Sequence, residues 1–137
     1  MRVAAVIIKN NKVLLMKRTK PDVIYWTIPG GEVEEGETNE QALIRESKEE
    51  LGVDVVMKDL LLEMNSQKPE SKGQKEYFYL CEVTDGKLGT GRGPEFQNPS
   101  LYVGRHDVEW VEIEELKKID LKPKDISDLI YDRHRVK

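Results

Sequence analysis

The chain has 137 residues, enough for one domain's core and too few for two. Acidic residues outnumber basic ones 26 to 22, a net charge of −4, so there is no basic footprint for a long nucleic acid. A nucleotide stays open as a ligand, because a metal ion can bridge acidic groups to phosphates. No apolar run approaches the roughly 20 residues that cross a bilayer, and the short one at Met1–Ile8 is followed by Lys9, Asn10, Asn11 and Lys12 rather than a cleavage site. The single cysteine, Cys81, excludes an intramolecular disulfide and a cysteine-rich zinc site. The expectation is a single domain over 1–137, cytoplasmic, with no membrane partner.

In chain order, Arg2 to Ile8 reads as a strand rich in Val and Ile. Asn10-Asn11 signals a turn, and Lys12 to Arg18 completes a hairpin. Thr19 to Tyr25 reads as a loop around Pro21 and Asp22. Trp26 to Ile28 is a short extended piece, stopped by Pro29-Gly30-Gly31. Thr38 to Leu51 is the clearest helix. Thr38 is placed as N-cap, Gln41 completes a capping box, and Gly52 is placed as terminator. Its apolar residues are few, so it buries only a narrow stripe.

Val53 to Met64 and Glu76 to Val83 read as strands with a polar connection containing Pro69 and Gly73. Asp85 to Ser100 is a long polar loop, a length at which loops are functional or disordered. Val108 to Val111 is a further strand and Ile113 to Ile119 a short helix. Asp125 to His134 is an amphipathic helix with Ile126, Leu129 and Ile130 on one face. The sum is an α/β chain whose sheet need not be all parallel.

The chemistry concentrates on the central helix. Glu46, Glu49 and Glu50 stand at i, i+3 and i+4 and share one face. Like charges at that spacing cost ~0.2–0.5 kcal/mol per pair, which a bound cation offsets. An all-oxygen cluster suits Mg²⁺ or Mn²⁺, and the absence of His or Cys among the three speaks against zinc. Arg45 is placed to hold Glu49 at i+4 or to reach back to Glu37, fixing a carboxylate with two parallel hydrogen bonds. A plain solvated helix face explains the three acids equally well when they are taken alone.

A larger pattern surrounds them. Gly31, five residues, Glu37, seven residues, then Arg45-Glu46-Ser47-Lys48-Glu49-Glu50-Leu51-Gly52-Val53 resembles the Nudix box (31–53). Ser47 departs, standing where that family prefers an aliphatic side chain. The resemblance implies an α/β/α sandwich around a mixed sheet, with the box as loop–helix–loop. It implies hydrolysis of the diphosphate linkage of a nucleoside diphosphate derivative, such as a nucleoside triphosphate or nucleotide sugar, with Mg²⁺ or Mn²⁺ as cofactor. A non-catalytic nucleotide sensor on the same fold is the alternative. Carried over by position, Glu46, Glu49 and Glu50 bind metal, the Gly30 carbonyl adds a ligand, and Arg45 orients a carboxylate. Glu37 supports the loop or a metal-bound water. The family's general base varies between a box glutamate and one on a distant loop, for which Glu95 is the candidate here. A homodimer is common in the family.

Other residues carry two readings each. Lys17 and Arg18 end a strand expected to face the box and hold phosphates, or are solvated. Arg92, between Gly91 and Gly93, closes on substrate or is a loop charge. Trp26 stacks on a base or joins the core. Phe78 is assigned to the core, whereas Tyr77 and Tyr79 line a cleft or cover the sheet. His106 and His134 are assigned to the surface. Pro69, sixteen residues past Val53, is a weak echo of ADP-ribose-cleaving relatives or a turn proline. The sequence does not name the substrate.

Overall fold

The computed structural model describes residues 1–66, 73–88 and 105–134. Its strands are β1 (Arg2–Lys9), β2 (Lys12–Thr19), β3 (Ile24–Thr27), β4 (Gly30–Glu32), β5 (Val53–Asn65), β6 (Lys75–Gly86), β7 (Arg105–Glu112) and β8 (Leu121–Lys122). Helix α1 spans Asn39–Leu51, a 3₁₀ turn spans Ile113–Lys118, and helix α2 spans Lys124–His134. Among the described residues no helix is long and apolar enough to cross a membrane.

The hairpin forms as expected. Asn10 and Asn11 both take positive φ, 53° and 63°, the conformation a two-residue turn of strand-matching twist requires and asparagine tolerates. It pairs Ile8 with Val13 and Lys9 with Lys12. Beyond that point the two strands part. The outer edge of β1 runs parallel to β6 from Arg2–Glu76 to Ile7–Cys81. β2 continues between β7 and β3, antiparallel to both. The sheet is therefore mixed and forked.

One expectation fails at the fork and one is incomplete. The strand before Pro29 begins at Ile24, inside the stretch expected to be loop. That strand does end before Pro29, as expected, but the chain pairs again at once, because Gly30–Glu32 pairs antiparallel with β1, Gly30 opposite Ala4 and Gly31 opposite Val3. The Ala5 N–H donates to the Pro29 carbonyl at 2.8 Å. The chain thus crosses from the β2 half of the sheet to the β1 half. Neither glycine is there for a positive φ, since the positive-φ glycines are Gly36, Gly52, Gly73 and Gly86. Gly30 is there for room: a Cβ on it would strike the Val3 carbonyl oxygen and the Ala4 Cα.

Strand alternation then sorts the core into two layers. Val3, Ala5, Ile7 and Leu14 face Ala42, Leu43 and Leu51 of α1. Ala4, Val6, Val13, Leu15 and Phe78 face Ile126 and Ile130 of α2. Each fully buried Leu or Ile contributes roughly 1.5–3 kcal/mol, so helices cover both faces and the α/β/α arrangement follows. β8, which was not expected, lies parallel to β3 and seats the start of α2. Pro69, Arg92, Glu95 and the His106 side chain lie outside the described residues.

The crossing gives a test. Gly30→Ala should cost about 1–3 kcal/mol of stability through forced overpacking, read as a lower urea midpoint with an unchanged slope. A wild-type midpoint would show that β1 and β4 do not approach as described.

Candidate functional site

Helix α1 is bounded at both ends by its own sequence. The Gln41 N–H donates to Thr38 Oγ1 at 3.1 Å, and the Thr38 N–H donates to Gln41 Oε1 at 2.9 Å, a reciprocal capping box. Gly52 ends the helix at φ 79°, its N–H bonded to the Lys48 carbonyl. The buried stripe is Ala42, Leu43, Ser47, Glu50 and Leu51. Ser47, the residue that departs from the family pattern, is buried on that stripe, where a small side chain fits.

Arg45 organises the polar face. Its Nε and Nη2 donate to Glu37 Oε2 and Oε1 at 2.8 and 3.0 Å, a bidentate pair. Its Nη1 donates to Glu46 Oε1 at 2.8 Å and to Glu49 Oε2 at 3.2 Å, and its Nη2 also donates to the Glu32 carbonyl at 2.9 Å. Glu34 Oε1 stands 3.3 Å from Nη1. Both of the alternatives for Arg45, Glu49 and Glu37, are therefore realised together. The Glu34 N–H donates to Glu37 Oε1, so the loop 34–37 closes on the same carboxylate.

Four carboxylates surround one guanidinium, leaving a clear excess of negative charge. The hydrogen bond to Glu37 raises the Arg45 pKa above its ordinary value; burial opposes this and the Glu46 bond adds to it. Glu37 is held below the usual carboxylate value, first by Arg45 and then by the Glu34 N–H. Glu46 is half-buried, Glu49 more open, and Glu50 is 8% exposed. The three acids do not splay into bulk solvent.

Gly31 explains where Glu46 goes, because a Cβ on Gly31 would collide with the Glu46 carboxylate. The glycine leaves a cradle that the acid fills. Among the described residues, no three acidic, His or Cys side chains already stand together at ligand spacing. Like-charged acids turn instead to the available N–H donors of Arg45. The donor set here is oxygen only, since Cys81 is buried in the sheet with its thiol pushed up to about 12 by burial. That chemistry fits Mg²⁺ or Mn²⁺ and not zinc.

The remaining candidates separate. Lys17 and Arg18 are neighbours on β2 and cannot both face the box. Arg18 shares the α1 face with Leu14 and donates from Nε to Thr27 Oγ1 at 3.5 Å. Lys17 shares the α2 face with Leu15, its Nζ 5.3 Å from the Trp26 ring centroid. Trp26 packs on the α2-side core. Phe78 is core, at 1% exposed, whereas Tyr77 and Tyr79 face α1, and Tyr79 accepts from Asn39 Nδ2 at 3.0 Å. His134 is half-buried against the Ile130 carbonyl rather than on the open surface. Glu34 was missed as a member of the cluster. Its signal was present: an acid three residues before Glu37 in a turn bent at Gly36.

A model of the NUDIX domain family matches residues 1–130. A nudix-hydrolase-type protein of Caenorhabditis elegans is 34% identical over 134 residues, covering 93% of this chain and 33% of its own. An ADP-ribose pyrophosphatase of Methanocaldococcus jannaschii is 38% identical over 91 residues, covering 65% of this chain and 54% of its own. The chain thus spans a third to about half of the length of these relatives. Among solved structures, a Nudix hydrolase from Nitrosomonas europaea superposes with a TM-score of 0.70 at 25% identity, covering 99% of this chain and 88% of that one.

The Glu37 shift sets a pH dependence. A carboxylate with a lowered folded pKa contributes stability above its ordinary range and loses it as pH falls through the folded value. The melting midpoint should therefore fall between pH ~6 and pH ~3. Glu37→Gln should melt lower near neutrality and fall less steeply. Parallel curves for the two proteins would show that the Glu37–Arg45 pair adds nothing.

Proposed function

Because this chain belongs to the Nudix family, we propose that it hydrolyses the diphosphate linkage of a nucleoside diphosphate derivative with the help of Mg²⁺ or Mn²⁺. The observation that carries the reading is the acid cluster: Glu46, Glu49 and their partners crowd one guanidinium with negative charge still in excess. An arrangement of that kind invites a divalent cation. A nucleotide sensor would have no need of so many acids.

Glu46, Glu49 and Glu50, with the Gly30 carbonyl, would hold the ion. When bound, such an ion neutralises phosphate charge and lowers the pKa of a coordinated water. The chain's own groups do the rest. Arg45 fixes the rotamers of Glu46 and Glu49 by hydrogen bonds at 2.8 and 3.2 Å, so both acids meet a cation already oriented. Glu37 holds Arg45 from the other side and stays ionised near neutral pH. One glutamate takes the proton of the attacking water. Glu95 is our candidate from the long loop and Glu49, the more open of the box acids, the candidate from the helix. Arg18, on the α1 face of β2, is assigned to the phosphates. Lys17 sits on the opposite face, over Trp26, so its assignment is the weaker of the two. Arg92 is assigned to the substrate's approach. The reading puts the protein in the cytoplasm, acting on a free nucleotide.

The test uses purified protein and a panel of nucleoside triphosphates, nucleotide sugars and dinucleotides, with phosphate release followed through a coupled phosphatase. Turnover should require Mg²⁺ or Mn²⁺ and stop with a chelator. Glu49→Gln should lower kcat at least ~100-fold while melting near the wild-type temperature. Full activity in that variant sinks the metal assignment. Silence of the wild type across the whole panel favours a nucleotide sensor.

A further inference from the structure

A cluster of cations lies apart from the acid cluster, at the β3–β8 edge of the sheet. Lys20 and Lys122 both lean on the ring of Tyr25, with Nζ 5.3 and 5.0 Å from its centroid. The two ammonium groups therefore stand within about a Debye length, ~10 Å, of each other, close enough to repel. Lys12, Lys48, Lys58 and Lys75 each meet an acid. Lys20 and Lys122 have no acid within ion-pair distance among the described residues, Asp22 of the neighbouring turn included, and the ring they share is what offsets their repulsion.

The backbone builds this arrangement. The Lys20 N–H donates to the Val23 carbonyl at 2.9 Å and the Val23 N–H donates back at 3.4 Å, so the turn through Pro21 and Asp22 returns Lys20 to the side of Tyr25. The Trp26 N–H donates to the Asp120 carbonyl at 2.8 Å, and β8 pairs with β3 so that Lys122 lies opposite Thr27. Tyr25 lies opposite Arg18. Cross-strand partners share a face, so Arg18, Tyr25, Thr27 and Lys122 all lie on the α1 side of the β2 half. Both lysines are exposed there and Tyr25 is half-buried, while α1 itself packs on β1, β4 and β5. From Tyr25 the chain runs through Thr27 to Gly30, at most ~17 Å away.

We propose that Lys20 and Lys122, gathered on Tyr25 beside Arg18, form an anion subsite for phosphate beyond the cleaved diphosphate, so that long phosphate chains are favoured over nucleotide sugars. The proposal rests on the nucleotide reading above. Ammonium and guanidinium groups give charge-assisted hydrogen bonds to phosphate oxygens, a gain that an uncharged sugar does not match. The two lysines touch substrate. Tyr25 is a positioning residue that acts through them.

Calorimetric binding of pyrophosphate, tripolyphosphate and tetrapolyphosphate, each with Mg²⁺, tests this without a base to choose. At least one of the longer chains should bind ~10-fold or more tighter than pyrophosphate. In the Lys20→Gln/Lys122→Gln double variant that ratio should fall to within ~3-fold, with pyrophosphate binding unchanged. Tyr25→Leu should lower it ~3-fold, and Tyr25→Phe, which keeps the ring, should hold it at the wild-type value. Lys9→Gln/Lys12→Gln removes the same charge at the hairpin turn and should leave the ratio unmoved. Equal binding of the three chains by wild type overturns the proposal. So does a preference that survives the loss of Lys20 and Lys122, or one that falls as far in the Lys9/Lys12 variant. If the Lys20/Lys122 variant melts early, the single variants decide, each expected to lose ~3-fold. Nucleotide turnover without a chain-length preference sinks this proposal and leaves the hydrolase reading standing. A preference that needs the two lysines, with no nucleotide turned over, does the reverse, and failure to bind any of the three chains overturns both.

Discussion

The Arg45 guanidinium is the contact on which the region around the box depends. All of its nitrogens are engaged, on Glu37, Glu46, Glu49 and the Glu32 carbonyl, with Glu34 close by. Those partners come from a strand, a turn and a helix, so one side chain ties three backbone segments together. Lysine offers a single ammonium and cannot reproduce a planar fork that serves a bidentate acid on one edge and two acids on another. The rest of the region is shaped to let the fork work. Gly31 has no side chain because the Glu46 carboxylate occupies its space. The capping box starts α1 at Asn39, six residues before the arginine, so Arg45 points back over the turn that leads in.

The same arrangement is what supports the cation of the proposed function. One positive charge cannot balance four acids, and Glu50 adds a further one on the buried side of the helix. Without a metal the acids share Arg45 and stand apart. On the proposed reading a metal would give Glu46, Glu49 and Glu50 a stronger partner, while Glu37 would keep the arginine in place. The sheet's fork holds Gly30, the backbone ligand of the proposed site. Because the chain crosses from β3 to β4 hard against β1, the Gly30 backbone is fixed against Val3 and Ala4 by packing, and the next residue, Gly31, lies against Glu46 of the helix.

Local chemistry was legible in the sequence, and partner choice was not. The Asn10-Asn11 turn, the Thr38–Gln41 capping box and the Gly52 terminator were read correctly, because each is decided within a few residues. The box spacing placed Arg45 and its acids on one surface for the same reason. β4 and β8 were missed: three and two residues long, they exist only because β1 and β3 lie alongside them. The glycines at 30 and 31 were read as the end of the preceding strand, whereas both are close-approach positions in the next one, a distinction that needs the neighbour's coordinates. That Lys17 and Arg18 cannot share one face was legible, since adjacent strand residues point to opposite faces. Glu76 looked like one acid among many at a strand's start, and only its burial beside Arg2 sets it apart.

Two arginine–carboxylate groups thus lie along one path through β4, and they differ in saturation. Around Arg45 the donors are spent on short hydrogen bonds, which rigidify the cluster and leave negative charge as its outward property. Around Arg2 both ion pairs are loose, at 4.0 Å, and the acid is nearly buried. A saturated group is a scaffold, because breaking any bond exposes an unsatisfied partner. Glu32 stands between them, giving its carbonyl to Arg45 and its carboxylate to Arg2.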